Sequence, residues 1–191
     1  MIQLKIIEKA YNWSGPLTKR AATRFIVLHH RAGDGDAEGI HRLHLNEGYS
    51  GIGYHFYIRK DGTVYRGRPI DTMGAHCLGS NANSIGVCFE GNFENEKMNE
   101  KQIKAGNELV LYLKGLYPDA EIKGHKELYK TVCPGKNFPL EAIKKGGTRV
   151  TVDEAKKIIK EKAGIEDGTI NFLLCYKYGE ELLVKLAKAM I

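Results

Sequence analysis

The sequence lacks any apolar run that approaches the roughly 18 residues a membrane-spanning helix needs. Its longest apolar clusters are as short as Phe25–Leu28. The amino terminus, Met1–Glu8, has no basic segment followed by an apolar core, so no secretory signal is visible. We therefore expect a soluble protein that is synthesised in the cytoplasm without an export signal of its own.

The sequence is also poor in cysteine, and its cysteines show no clustering. Cys77, Cys88, Cys133 and Cys175 form no CxxC pair, which argues against a disulfide scaffold and against a four-cysteine zinc knuckle. Cys88 and Cys175 lie in apolar runs and are expected to be small core side chains. Cys133 differs, because it lies in a turn-like Val-Cys-Pro-Gly segment, eight positions after His125.

No dense block of Lys and Arg is present, although the chain is basic overall. The 29 Lys and Arg residues stand against 23 Asp and Glu residues, which gives a net charge of +6. Such an excess favours polyanionic partners, such as nucleic acid or a bacterial wall rich in anionic polymer, and it equally fits a well-solvated surface. Without a clustered basic segment, we expect no nucleic-acid partner.

Strand and helix patterns alternate from the start of the chain to about residue 146. An Asp61-Gly62 turn between two short strand patterns is a strong hairpin signal. The alternation predicts an α/β domain over residues 1–146. The predicted elements are strands at Thr23–His30, Gly53–Ile58, Thr63–Tyr65, Ser84–Glu90 and Glu121–Lys123, and helices at Asp34–Asn46 and Asn99–Tyr117.

The sequence pattern changes after a predicted linker at Lys144–Thr148. Thr151 and Glu154 form a capping-box pattern that opens a helix over Ala155–Ala163, and Gly164 ends it. Two further helices are predicted at Thr169–Tyr178 and Glu180–Met190. Residues 147–191 are therefore predicted to form a small all-α module.

All seven histidines lie in the first domain, and His29 directly follows a buried strand. His125 and Cys133 carry the side chains that zinc prefers, and the loop between them lets both reach one ion. With His29 they make a three-ligand set that leaves the fourth position open for water, as in catalytic zinc sites. The competing interpretation is a Cys133–histidine dyad for nucleophilic catalysis.

Five short stretches occur together over about residues 10–140: Phe25–His30, Gly51–Phe56 with Asp61-Gly62 and Gly67-Arg68, Gly74–His76, Asn83–Val87, and Gly124-His125 through Cys133–Gly135. They resemble the zinc-dependent N-acetylmuramoyl-L-alanine amidases, the family shared by amidase-type phage lysozymes and peptidoglycan recognition proteins. The resemblance implies a mixed central β-sheet flanked by helices and one catalytic Zn²⁺ held by His29, His125 and Cys133. The helical module at residues 147–191 is then expected either to target the protein to the cell wall or to join two copies of the chain.

The resemblance also implies roles for residues around the metal. Tyr54 matches the catalytic tyrosine of the family, and Thr131 stands where phage lysozymes carry a lysine. A threonine hydroxyl can donate a hydrogen bond to an oxyanion but is too weak to act as a general base. Another amidase branch has a catalytic glutamate where Cys88 stands, with Glu90 nearby as a possible substitute. The residues expected to contact substrate are His30, His44, His76 and Asn81.

Two histidines are not expected in the site: His55 should face away from the metal, and His41 should be solvated on its helix. The implied activity is hydrolysis of the amide between the lactyl group of N-acetylmuramic acid and L-alanine. The expected setting is a phage or prophage endolysin, or a bacterial autolysin, that reaches the wall once the membrane is permeabilised. The alternatives are a non-catalytic peptidoglycan-binding protein on the same fold and a thiol hydrolase that uses Cys133.

Overall fold

The computed structural model describes residues 4–146 and 150–191. The chain divides into two compact units, Met1–Gly147 and Thr148–Ile191. Within the described ranges, no helix has both the length and the apolar character needed to cross a membrane.

The described part of the first unit is built on one six-stranded sheet with the order β1-β4-β3-β5-β2-β6. Neighbouring strands run parallel except β3 and β4, which form the antiparallel hairpin predicted around Asp61-Gly62. The mixed sheet predicted for this unit is confirmed. The strands are β1 at Ile6–Ile7, β2 at Phe25–His30, β3 at Phe56–Ile58, β4 at Val64–Arg66, β5 at Ser84–Phe89 and β6 at Glu121–Gly124.

Three helices accompany the sheet: α1 at Ala37–Asn46, α2 at Glu100–Leu116 and α3 at Leu140–Gly146. Side-chain caps define where two of them begin. The Asp36 carboxylate accepts a hydrogen bond from Gly39 N at 2.7 Å before α1, and the Asn99 side chain accepts one from Gln102 N at 3.0 Å before α2. Both helices therefore begin at signals carried by the local sequence.

The two faces of the sheet pack against different apolar clusters. On one face, apolar side chains of β2 and β5 such as Leu28 and Val87 pack with Leu109 and Leu113 of α2 in the main core. On the other face, Cys88 and Tyr57 pack with Ile40 of α1 in a smaller cluster. His29 pairs in register with Cys88 and so shares this second face. His29, near the end of β2, therefore lies on the face that has the smaller apolar cluster.

The second unit consists of three helices: α4 at Val152–Ala163, α5 at Asp167–Leu174 and α6 at Gly179–Ala189. As predicted, Thr151 and Glu154 form a capping box before α4, and Gly164 ends that helix in the left-handed conformation, with φ of 65°. The helices enclose a small apolar cluster of their own, so the predicted all-α module is confirmed. Its buried members are Val150, Ala155, Ile159, Ile170, Leu183 and Ala187.

Two sequence predictions about this end of the chain need correction. The predicted linker at Lys144–Thr148 begins inside α3, which extends to Gly146, while residues 147 and 148 lie outside the described residues. Cys175, predicted to be a core side chain, is exposed. Cys175 is the C-cap of α5, and its Sγ lies 3.3 Å from the Asn171 carbonyl on the helix surface rather than in the apolar cluster.

Candidate active site

Neighbouring strands bring His29 and His125 together. His29 is the second-last residue of β2, and His125 directly follows β6, which pairs with β2 so that Leu28 lies opposite Gly124. The two imidazole rings lie 4.4 Å apart between centroids. The parallel register of adjacent strands therefore places two residues distant in sequence side by side.

Cys133 reaches the same point from the loop that follows His125. Its Sγ lies 3.7 Å from Nδ1 of His29. The loop is held near His125 because Lys126 N donates a hydrogen bond to the Cys133 carbonyl at 2.8 Å. One donor atom from each of His29, His125 and Cys133 lies within 4.8 Å of the others.

Gly135 fixes the far side of this loop. It follows the cis Cys133–Pro134 peptide and adopts a φ of 103°. A Cβ atom at position 135 would come within 2.4 Å of the main-chain carbonyl carbon of Phe93. Only glycine permits this close approach, and it seats the loop against the segment after β5.

The three donors fit a zinc ion. Two imidazole nitrogens and a thiol sulfur are preferred zinc ligands, and tetrahedral ligands about 2.0–2.3 Å from the metal are about 3.5 Å apart from each other. The observed Sγ to Nδ1 distance of 3.7 Å matches that separation. The buried Nε2 of His125 has no hydrogen-bond partner within the described ranges. A buried polar atom without a partner is costly in a folded protein, and a ligand at this point would remove that cost.

Burial keeps the two imidazoles neutral, as metal ligands must be. It holds the pKa of His29 well below its ordinary value, with further lowering from His76 and His125 nearby. Burial likewise lowers the pKa of His125. Burial raises the pKa of Cys133 to about 12. Without a metal the thiol is therefore protonated at neutral pH and is a poor nucleophile, whereas a coordinated metal ion would deprotonate it.

Tyr54 lies beside the donors, with its ring 5.2 Å from the His29 ring between centroids. Burial raises the pKa of Tyr54 well above its ordinary value, and the neighbouring thiols of Cys88 and Cys133 raise it further. The hydroxyl therefore remains protonated at neutral pH and is available as a hydrogen-bond donor.

An open cleft of about 390 Å³ runs up to this point. Four residues predicted from the sequence line it, namely Tyr54, His44, His76 and Asn81, together with His125. His44 Nδ1 accepts a hydrogen bond from Gly53 N at 3.0 Å, which holds the segment that carries Tyr54. The remaining lining residues are Glu47, Tyr49, Ala75, Cys77, Leu78 and Tyr129.

Apart from the metal donors His29 and Cys133, two predicted site residues do not line this cleft. His30 points to the opposite face of the sheet, where its Nδ1 accepts a hydrogen bond from Phe93 N at 3.2 Å, because successive residues of a strand alternate between faces. The hydroxyl of Thr131 accepts a hydrogen bond from Cys133 N at 3.2 Å. Thr131 therefore supports the ligand loop, and its hydrogen remains available for donation.

The structure corrects two further expectations. His41 is buried rather than solvated: its Nε2 lies 3.1 Å from the Asn12 carbonyl, and its Nδ1 accepts a hydrogen bond from Ile52 N. Glu90 is also buried, and its carboxylate accepts hydrogen bonds from the main-chain nitrogens of Gly35 and Lys60. It therefore joins two loops and is not positioned as a substitute base.

Tyr129 was not predicted from the sequence, but it lines the cleft and stacks on His125 with ring centroids 5.8 Å apart. Its position four residues after His125, in a short turn, could have indicated that it lies near the site. His55 lies behind His76, with Nδ1 accepting from Gly86 N at 3.0 Å and Nε2 donating to the Thr72 carbonyl at 2.9 Å.

Known proteins resemble this chain in sequence and in fold. Residues 19–136 match the family model described as N-acetylmuramoyl-L-alanine amidase. The endolysin of Enterobacteria phage K11 is 37% identical over 145 residues, which cover 71% of this chain and 95% of that protein. Peptidoglycan-recognition protein SC2 of Drosophila melanogaster is 34% identical over 134 residues, which cover 60% of this chain and 69% of that protein. Among solved structures, N-acetylmuramoyl-L-alanine amidase LysC from Clostridium intestinale URNW matches with a TM-score of 0.72 and 44% identity, over 73% of this chain and 95% of that chain.

Proposed function

Because the chain belongs to the N-acetylmuramoyl-L-alanine amidase family, we propose that it is a zinc-dependent peptidoglycan hydrolase. Its substrate bond is the amide between the lactyl group of N-acetylmuramic acid and L-alanine of the stem peptide. The observation that carries the proposal is the convergence of His29, His125 and Cys133 beside Tyr54, at an open cleft. The similarity to phage endolysins supports a bacteriolytic role, with release to the wall after membrane permeabilisation.

The chain's own residues account for binding and charge stabilisation. His29, His125 and Cys133 would hold the zinc, which supplies a Lewis acid and lowers the pKa of water. The protonated hydroxyl of Tyr54 donates a hydrogen bond to the carbonyl oxygen as negative charge develops there. The Thr131 hydroxyl accepts a hydrogen bond from Cys133 N and so supports the loop that carries Cys133, and it is too weak to act as a base.

The cleft walls fit a substrate with both sugar and peptide parts. Tyr49, Leu78 and Tyr129 expose large apolar surfaces along the cleft, while His44 and Asn81 add polar groups. Pockets of this composition combine apolar contact area with a few polar groups that set orientation. We propose that these residues bind the muramyl-peptide, with the scissile amide next to Tyr54.

The direct test is hydrolysis of purified bacterial walls, followed through the release of L-alanine amino termini. We expect release to stop in a chelator and to return when zinc is added. Activity that resists chelation would favour a thiol hydrolase. Wall binding without release of amino termini would favour a non-catalytic peptidoglycan-binding protein.

Replacement of Tyr54 by Phe tests the hydroxyl separately from the ring. Loss of one donor to a developing oxyanion typically costs 10²–10³-fold in rate, so we expect Tyr54→Phe to lower kcat about 10²-fold. The measurement is the initial rate on defined muramyl-peptides at saturating substrate. Tyr112→Phe, at an exposed position on α2, is the matched control and should keep its rate. A rate near wild type for Tyr54→Phe would restrict this residue to packing.

We also propose that the second unit anchors the enzyme to the cell wall. It exposes three aromatic side chains, Phe172, Tyr176 and Tyr178, and a cleft of about 470 Å³ lies beside Tyr176 and Tyr178. Exposed apolar groups around a cleft are typical of binding surfaces. Deletion of residues 148–191 should weaken wall retention in a pull-down assay and leave hydrolysis of a soluble muramyl-peptide intact. Unchanged retention combined with loss of a dimer in sedimentation would instead assign this unit to dimerisation.

A further inference from the structure

A buried chain of polar groups runs from the proposed zinc site into the sheet. His29 Nε2 lies 3.0 Å from His76 Nδ1, and His76 Nε2 lies 3.5 Å from the hydroxyl of Ser84. The Ser84 hydroxyl in turn lies 2.6 Å from the Ser80 carbonyl. His29, His76 and Ser84 are 1%, 8% and 0% exposed, so each of these polar groups depends on its protein partner.

The direction of every hydrogen bond in this chain follows from its inner end. A carbonyl can only accept, so the Ser84 hydroxyl gives its hydrogen to Ser80. Its oxygen then faces His76 as an acceptor, which puts the ring hydrogen of His76 on Nε2. A buried neutral imidazole carries one ring hydrogen, so Nδ1 of His76 is an acceptor.

The same logic determines the tautomer of His29. Because His76 Nδ1 accepts, the hydrogen of the His29 ring lies on Nε2. The lone pair of His29 then lies on Nδ1, the nitrogen that is 3.7 Å from Cys133 Sγ. This is the tautomer that a metal ligand needs at Nδ1.

The surroundings of His76 hold its ring in this orientation. A Cβ atom at Gly74 would come within 2.4 Å of the ring, and one at Gly86 within 2.6 Å. His55 packs edge-on against the same ring, with centroids 5.7 Å apart. The absence of side chains at Gly74 and Gly86 thus leaves the space that the His76 ring occupies. Its two nitrogens face His29 and the Ser84 hydroxyl.

We propose that His76 is a positioning residue, held by Ser84, that fixes His29 in the tautomer presenting Nδ1 to the metal. The inference rests on the proposed zinc site and assigns His76 to the support of that site rather than to direct polar contact with substrate. Partners of this kind behind a metal-binding imidazole orient the ring and raise its basicity, and their loss typically weakens metal affinity 10–100-fold.

The test measures zinc affinity by chelator competition and the coordination geometry through the absorption spectrum of the Co²⁺-substituted enzyme. His76→Leu keeps side-chain bulk and removes the acceptor, so we expect its zinc Kd to rise about 10–100-fold, with an altered Co²⁺ spectrum. His76→Asn places an amide oxygen near the position of Nδ1. It should recover most of the affinity and the wild-type spectrum, which a merely structural role would not require.

Two further variants complete the design. Ser84→Ala removes the inner acceptor and should weaken zinc binding about tenfold, at the low end of the expected range. If circular dichroism shows that His76→Leu does not fold, the zinc Kd of Ser84→Ala tests the positioning role of His76 instead. Tyr112→Phe, at an exposed position on α2 that is outside the cleft and the chain of hydrogen bonds, is the control and should leave the zinc Kd unchanged.

The outcomes separate the two proposals. If the wild-type enzyme binds no zinc, the proposed function fails. If the wild type binds zinc, and folded His76→Leu and Ser84→Ala bind it equally well, the positioning role of His76 is overturned and the proposed function stands. In that case a raised KM in His76→Leu would return His76 to substrate binding.

Discussion

The two units of this chain reach their folds by opposite means. In the first unit, a sheet joins residues that are far apart in sequence, and the contact between His29 and Cys133 spans 104 positions. In the second unit, α4 begins at a local signal, the hydrogen bond from Glu154 N to the Thr151 hydroxyl three positions away, and it ends at Gly164. All seven histidines belong to the first unit.

This difference bears on which unit can form a metal site. A metal site needs donors that approach from several directions, and the parallel strands β2 and β6 supply two of them. The three short helices of the second unit enclose a small apolar cluster and offer an exposed surface for binding instead. Within the described ranges, the buried polar side chains all belong to the first unit. The comparison predicts that damage to one unit leaves the activity of the other intact.

The largest expected effect is loss of a metal donor in the first unit. His125→Ala should lower hydrolysis on the order of 10³-fold or more, because the metal contributes several kcal/mol to charge stabilisation. The measurements are release of L-alanine amino termini and zinc content after dialysis. Lys126→Ala, at the exposed neighbouring position, is the control and should retain activity. Wall retention should be the same in both variants, and its loss in His125→Ala alone would contradict the separation of tasks.

The second effect concerns the core of the second unit. Ile159 is fully buried in the cluster of α4, α5 and α6, so Ile159→Ala should destabilise that unit by about 3 kcal/mol. Urea unfolding followed by circular dichroism measures the change, with the exposed Lys162→Ala as control. Hydrolysis of a soluble muramyl-peptide should not change. A parallel fall in hydrolysis would show that the two units act as one cooperative body.

The smallest effect of a single residue is the pH dependence of stability that His55 contributes to the first unit. Burial lowers the pKa of His55 to about 3 in the folded state, whereas the unfolded residue titrates near 6.5. Below about pH 6.5 the unfolded chain binds the extra proton, so stability is complete above that pH and falls progressively toward pH 3. At pH 5 the loss from His55 is about 2 kcal/mol. Thermal unfolding at pH 7 and pH 5 should show a lower Tm for the first unit only, and equal shifts in both units would contradict this.

Local signals made much of the fold predictable from the sequence. The Asp61-Gly62 hairpin and the capping box at Thr151 depend on residues close together in the chain, and both are present. The predicted strand at Thr23–His30 matches β2 except for its first two residues. The strand order could not be read in this way, because it depends on which strands pair across the whole unit.

The site was predictable in its chemistry and less so in its surroundings. The residue types and motifs indicated His29, His125 and Cys133, and the structure brings their donor atoms together. The burial of His41 depends on Asn12, and the orientation of His76 depends on Ser84 and on space at two glycines. Such partners follow from packing between segments, which no local pattern records.

The close approach of Gly135 to the main chain of Phe93 has a consequence for how this protein tolerates substitution. A single added methyl group at position 135 would push the cysteine-bearing loop outward, although Gly135 is not one of the three proposed metal ligands. The positions most sensitive to substitution therefore extend beyond the ligands themselves. Any effort to make the protein more heat-resistant by replacing glycines should leave this one untouched, because the same replacement would displace Cys133 from the proposed metal site.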